Sequence, residues 1–76
     1  MHSRPRYKIG DLFIRRGEVY KVTIVDSHRR IYFVVEVWSA HTHNVSFAEY
    51  TCDFDWVHKN SNLISQEELF LKKMEY

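Results

Sequence analysis

The sequence predicts a mainly β (α+β) fold: a five-stranded antiparallel barrel with a short helix before its last strand and a helix at its C-terminus. Three observations carry this. Residues 8 to 38 hold three β-rich segments separated by short turn signals. From Ser46 the apolar spacing becomes helical. The last stretch, "LISQEELFLKKMEY", opens on a capping box.

Size and composition set the frame. At 76 residues the chain makes a single domain, 1–76, with a small core. Its 12 aromatic residues supply much of the area that such a core must bury. Arg4-Pro5-Arg6 is a basic lead-in over 1–6, extended because the residue before a proline avoids the helical region. The barrel is expected over 7–59 and the C-terminal helix over 65–75.

Gly10-Asp11 opens the first strand, centred on Leu12, Phe13 and Ile14. Arg16-Gly17 is a turn signal, since Gly17 accepts the positive φ of a tight hairpin. In the second strand, "EVYKVTIVD", Tyr20, Val22 and Ile24 fall on one face, and Val19, Lys21 and Thr23 on the other. "DSHRR" is a polar turn. In the third strand, "IYFVVEVW", alternation places Ile31, Phe33, Val35 and Val37 inward, and Tyr32, Val34, Glu36 and Trp38 outward.

"SAHTHNV" reads as a turn and a short fourth strand. Ser46 and Glu49 have capping-box spacing, and Phe47, Tyr50 and Phe54 recur at i, i+3 and i+7. A short helix is therefore expected near 46–53, and "DWVHKN" becomes the fifth strand. In the last helix Ser65 is the N-cap and Glu68 its capping-box partner, with Ile64 and Leu69 as a hydrophobic staple. Glu67 and Glu68 sit at the positive end of the dipole, and Lys72 and Lys73 toward the negative end. Leu69, Phe70 and Met74 are expected to dock this helix on the barrel.

The segment "HTHNVSFAEYTCDFDWVH" concentrates His41, His43, His58, Cys52, Asp53 and Asp55. His41 and His43 would point the same way on a strand. No second cysteine and no C-x-x-C or H-E-x-x-H pattern accompanies them, so no metal and no cofactor is expected. Cys52 lacks a glycine-rich elbow or an oxyanion-hole signal, so no catalytic residue, no enzyme activity and no small-molecule substrate is inferred.

The single cysteine excludes an intrachain disulfide and fits a reducing, cytoplasmic setting. "MHSRPRYKIGD" is not a secretory signal. The longest apolar run, "IYFVV", is far shorter than the roughly 20 residues of a membrane span.

"YKIGDLFIRRGEVYKVTIVD" resembles the opening of small SH3-like barrels of the Tudor and KOW kind, with a "GD" before the first strand and a glycine at the next turn. "VSFAEYTCDFDWV" is similar to a segment that follows the fourth strand in many small phage-encoded barrel proteins, with Ser46, Glu49, Tyr50, Phe54 and Val57 at its characteristic positions. The resemblance spans roughly residues 7 to 59. It implies a small non-enzymatic binding module, a phage-type accessory protein that binds and modulates a host protein in the host cytoplasm. Tyr32 and Trp38, with Trp56 as a further candidate, form an outward aromatic set near arginine, and Tyr32 and Trp38 are the expected protein-binding anchors.

The alternative is a nucleic-acid-binding barrel. Residues 1–30 carry eight Lys/Arg against three Asp/Glu, while residues 31–76 carry three against seven. Arg4, Arg6, Lys8, Arg15, Arg16, Lys21, Arg29 and Arg30 would supply the phosphate contacts. Against it, the Arg15-Arg16 and Arg29-Arg30 turns lie at opposite ends of a meander, and the pI is about 7.9.

Overall fold

The computed structural model describes residues 4–42 and 47–75. The chain runs β1 (Leu12–Arg15), β2 (Glu18–Asp26), β3 (Ile31–Ser39), β4 (Glu49–Asp53), α1 (Phe54–Asn60), β5 (Asn62–Ile64) and α2 (Gln66–Glu75). All five strands join one antiparallel sheet in the order β4-β3-β2-β1-β5. The sheet is unclosed, with β4 and β5 at its edges. No helix among the described residues is long and apolar enough to cross a membrane.

The first hairpin follows its local sequence. Arg16 and Gly17 both have positive φ, 50° and 80°, as a two-residue turn matched to strand twist requires. Gly17 is doubly constrained, because a Cβ there would come within 3.1 Å of His41 Nε2. The β2–β3 turn is closed by Asp26, whose carboxylate accepts from the Arg29 amide at 3.1 Å.

Two irregularities break the β2–β3 alternation. Val19 pairs with Trp38 and Tyr20 with Glu36, leaving Val37 extra on β3. Val22 pairs with Val34 and Ile24 with Phe33, leaving Thr23 extra on β2. Val19 and Tyr20, successive residues of β2, point to opposite faces and pack in two different apolar clusters.

The main cluster joins Tyr7, Phe13, Val22, Tyr32, Val34, Phe54 and Val57. The second joins Leu12, Val19, Ile64 and Leu69 across the other face of β1. Leu12 and Phe13 point to opposite faces, and both are buried.

The expected facing of β3 is reversed. Tyr32, Val34 and Glu36 face the core, while Ile31, Phe33 and Val35 are half-buried on the other side. Counting apolar residues favoured the second set. What decides is that the buried phenol and carboxyl find polar partners inside, at Arg6, Tyr7 and His58 for Tyr32 and at Glu18 for Glu36.

The expected helix near 46–53 is also corrected. Residues 49–53 are β4, paired with β3 from Ile31↔Asp53 to Val35↔Glu49. The helix comes one element later, at "FDWVHKN", which was expected to be the fifth strand. Asp53 is its N-cap and accepts from the Trp56 amide at 3.2 Å. The fourth strand expected in "SAHTHNV" does not include His41 or Thr42, and residues 43–46 lie outside the described residues.

The C-terminal helix stands where its capping box places it. The Glu68 amide donates to Ser65 Oγ at 3.0 Å, and Ser65 Oγ in turn approaches Glu68 Oε1 at 3.3 Å. Ile64 and Leu69 share the second cluster, so the staple is formed. Of the expected docking residues only Leu69 is buried; Phe70 and Met74 are exposed. Ser65→Ala is expected to cost about 0.5–2 kcal/mol through loss of the cap acceptor. The measurement is a urea midpoint that falls at constant m-value. An unshifted midpoint would mean that this helix adds nothing to the cooperative unit.

Candidate binding groove

Bending of the sheet brings β4 and α1 toward β1 on the face that carries the main core. Between them lies an open groove of about 490 Å³. Phe13 from β1 forms its floor, Tyr20 from β2 and Tyr50 from β4 one wall, and Trp56 from α1 the other. This volume falls in the range of about 300–1,000 Å³ typical of ligand sites.

Ring geometry fixes the walls. Phe13 and Tyr20 stack at 5.4 Å, and Tyr20 meets Tyr50 edge-on at 5.9 Å and 85°. Across the gap, the Arg15 guanidinium lies 4.5 Å from the Trp56 ring centroid. Tyr50 and Trp56 keep 46% and 40% of their surface exposed, enough to offer ring faces to a ligand.

The groove lining carries one cation, Arg15, and one carboxylate, Asp53, and Tyr20 and Cys52 add neutral groups. Burial, then the charges of Glu18 and Glu36, push the Tyr20 phenol up to about 12, so it is a neutral hydrogen-bonding group. Burial pushes the Cys52 thiol up, with Arg15 opposing, so Cys52 packs as a thiol against the core. Glu36 is 8% exposed, and burial followed by the Glu18 hydrogen bond and charge raises its carboxyl.

On the far side of α1 a polar network ties down the N-terminal segment. Tyr32 Oη accepts from the amides of Arg6 at 3.0 Å and Tyr7 at 3.1 Å. Both lone pairs are then used, so its proton goes to His58 Nε2 at 2.7 Å. His58 is therefore a neutral acceptor here. Burial, then the Arg6 charge, lower its pKa, partly offset by Asp55 and Asp53.

These two groups give opposed pH dependences. The lowered His58 pKa adds stability that is present above the unfolded value of about 6.5 and lost as pH falls from there through the folded one. The raised Glu36 pKa adds stability that is present below the unfolded value of about 4.5 and lost as pH rises through the folded one. Glu36→Gln is expected to stabilise the protein at neutral pH and to steepen its loss of stability on acidification from about pH 7 to about pH 5. Urea melts across that window check this; a destabilised variant at neutral pH would reverse the assignment.

The sequence-expected anchors are not in the groove. Tyr32 is fully buried, and Trp38 is half-buried against the second cluster opposite Val19. The basic residues are dispersed. Arg15 covers Trp56, Arg29 lies 3.7 Å from Asp26, and Arg30 is paired with Asp55 at 2.8 Å. Arg16 sits in the first turn, where its carbonyl accepts from His41 Nε2 at 2.8 Å. The Lys8 amide donates to Asp11 at 2.8 Å, and Lys21 lies beside α2. Arg4 and Arg6 line a separate cleft with His58 and Lys59. His43 lies outside the described residues, and among those described no group of three potential metal ligands occurs.

Phe13, Tyr20, Tyr50 and Trp56 were not assigned to one site from sequence. The available signal was the period-2 spacing of Tyr50, Cys52 and Phe54, which matches a strand as well as Phe47, Tyr50 and Phe54 match a helix. No protein-family model, no curated protein and no solved structure matches this chain.

Proposed function

We propose that this chain is a small non-enzymatic binding module that holds an apolar segment of a protein partner in the groove between β1 and α1. The observation that carries the reading is the convergence of Phe13, Tyr20, Tyr50 and Trp56, from four different elements, on one open aromatic groove. Aromatic-lined grooves suit extended peptides, because rigid rings bury much area at little entropic cost. The neighbouring edge strand β4 pairs only with β3, so its outer backbone groups lie beside the same groove.

We also read the fold as an SH3-like barrel. Support comes from β5 returning to pair with β1 and from the helix set between the fourth and fifth strands. An accessory protein of the phage type would act by capturing a host protein segment in this groove. The nucleic-acid alternative has less support, since Arg15, Arg29 and Arg30 are engaged with Trp56, Asp26 and Asp55.

The test is a screen of immobilised peptides followed by titration of the best binder, read by the fluorescence anisotropy of a dye on the peptide. Trp56→Ala is expected to weaken binding by at least about 2 kcal/mol, roughly 30-fold, as a central aromatic anchor does. Trp38→Ala, away from the groove, controls for loss of the other indole. Binding that survives Trp56→Ala, or that a few phosphate contacts' worth of salt abolishes, would reject the groove as the site.

A further inference from the structure

We infer that the cleft between the N-terminal segment and α1 binds a dianionic phosphate group. It lies apart from the aromatic groove and is lined by Arg4, Arg6, Asp55, His58 and Lys59, enclosing about 340 Å³.

The sequence builds it simply. Pro5 separates Arg4 and Arg6, and a residue before proline is held out of the helical region. Both arginines line the same cleft. The segment is positioned by its backbone: the Arg6 and Tyr7 amides donate to Tyr32 Oη, leaving the guanidiniums to the solvent side. Lys59, in the last turn of α1, lines the same cleft.

The charge balance selects an anion. Asp55, the single carboxylate of the lining, is bonded to Arg30 at 2.8 Å. Among the described residues Arg4, Arg6 and Lys59 are in no ion pair. Two guanidiniums offer the planar donor fork that phosphate oxygens match, and three cations favour a dianion over a monoanion. Arg15, Arg29 and Arg30 are taken up by Trp56, Asp26 and Asp55, and Arg16 sits apart in the first turn, so the cations of the cleft form one locus and not part of a track along a polyanion. His58, at the floor, faces Arg6, Tyr7, Tyr32, Phe54, Asp53 and Asp55. A dianion beside it favours the imidazolium, so binding and His58 protonation are linked.

The test is an amide-resolved NMR titration of the full chain at constant ionic strength, with phenyl phosphate, inorganic phosphate, dimethyl phosphate, acetate and a single-stranded oligonucleotide as separate probes. Saturable shifts at Arg6, Tyr7, Asp55, His58 and Lys59 with the first two probes, and a raised His58 imidazole pKa in their presence, are expected. Whichever of the two binds tighter identifies the source as an organic monoester or the free ion. Arg4→Gln and Lys59→Gln, both at exposed positions, are each expected to weaken binding at least about tenfold with an unchanged urea midpoint. Equal binding of dimethyl phosphate or acetate would overturn the dianion assignment. No saturable shift at these residues would overturn the site. Oligonucleotide binding that is tighter than phenyl phosphate and falls with salt as several phosphate contacts do would replace it with a nucleic-acid surface.

Discussion

Tyr32→Ala is expected to destabilise the protein by about 3–5 kcal/mol, a large part of the stability of a domain this small. Tyr32 is fully buried, and its ring lies 4.5 Å from Phe54 and 5.6 Å from Tyr7, centroid to centroid. Truncation removes the packing and leaves the Tyr7 amide buried without its acceptor. Tyr32→Phe separates the two contributions. It keeps the ring and deletes only the hydroxyl, so about 1–3 kcal/mol is expected for the orphaned amides and the lost bond to His58. It should also change the pH dependence, because His58 loses the donor that holds it neutral. Chemical denaturation of both variants, with hydrogen exchange at the Arg6 and Tyr7 amides, measures this. If Tyr32→Ala proved near-neutral, the outward-facing assignment of Tyr32 would stand after all and the core described here would fall.

This residue also marks where the sequence stops being readable. The first hairpin was legible because its determinants are adjacent: Arg16-Gly17 demands a tight turn by itself. Ser65 was legible for the same reason, since a capping box and staple lie within six residues. The facing of β3 was not, because it depends on donors and acceptors 25 and 26 positions away, joining Tyr32 to Tyr7, Arg6 and His58. Alternation also fails wherever a strand carries an extra residue, and Thr23 and Val37 are such residues. Neither has a local signature that announces a bulge.

The boundary between β4 and α1 failed through competition between two caps. Ser46-x-x-Glu49 fits a capping box and Asp53 alone fits an N-cap, and the apolar residues around them fit either period. Pairing of β4 with β3 decides in favour of the second, because residues 49–53 gain a strand partner that a helix would forgo. The groove was unreadable at a further level. Its four rings come from β1, β2, β4 and α1, and only the bend of the sheet makes Arg15 and Trp56 neighbours.

Phe13→Ala joins fold and function in one measurement, with an expected cost of about 3–5 kcal/mol in stability. Phe13 is 1% exposed and lies between Tyr7 at 5.5 Å and Tyr20 at 5.4 Å, measured between ring centroids. Its removal empties the floor of the groove and frees Tyr20 to tilt away from Tyr50. Because the vacated space opens into the groove, water can enter it, and the loss should lie toward the lower end of that range. Peptide affinity should fall with it, since a ring wall that can tilt must be ordered again on binding. Phe13→Leu keeps most of the volume and is expected to recover most of the stability while restoring less of the affinity. Urea melts and fluorescence titrations of the two variants, with binding measured well below the midpoint, resolve the two effects. Full affinity in a stably folded Phe13→Ala protein would place the peptide elsewhere and leave the aromatic floor a matter of core packing.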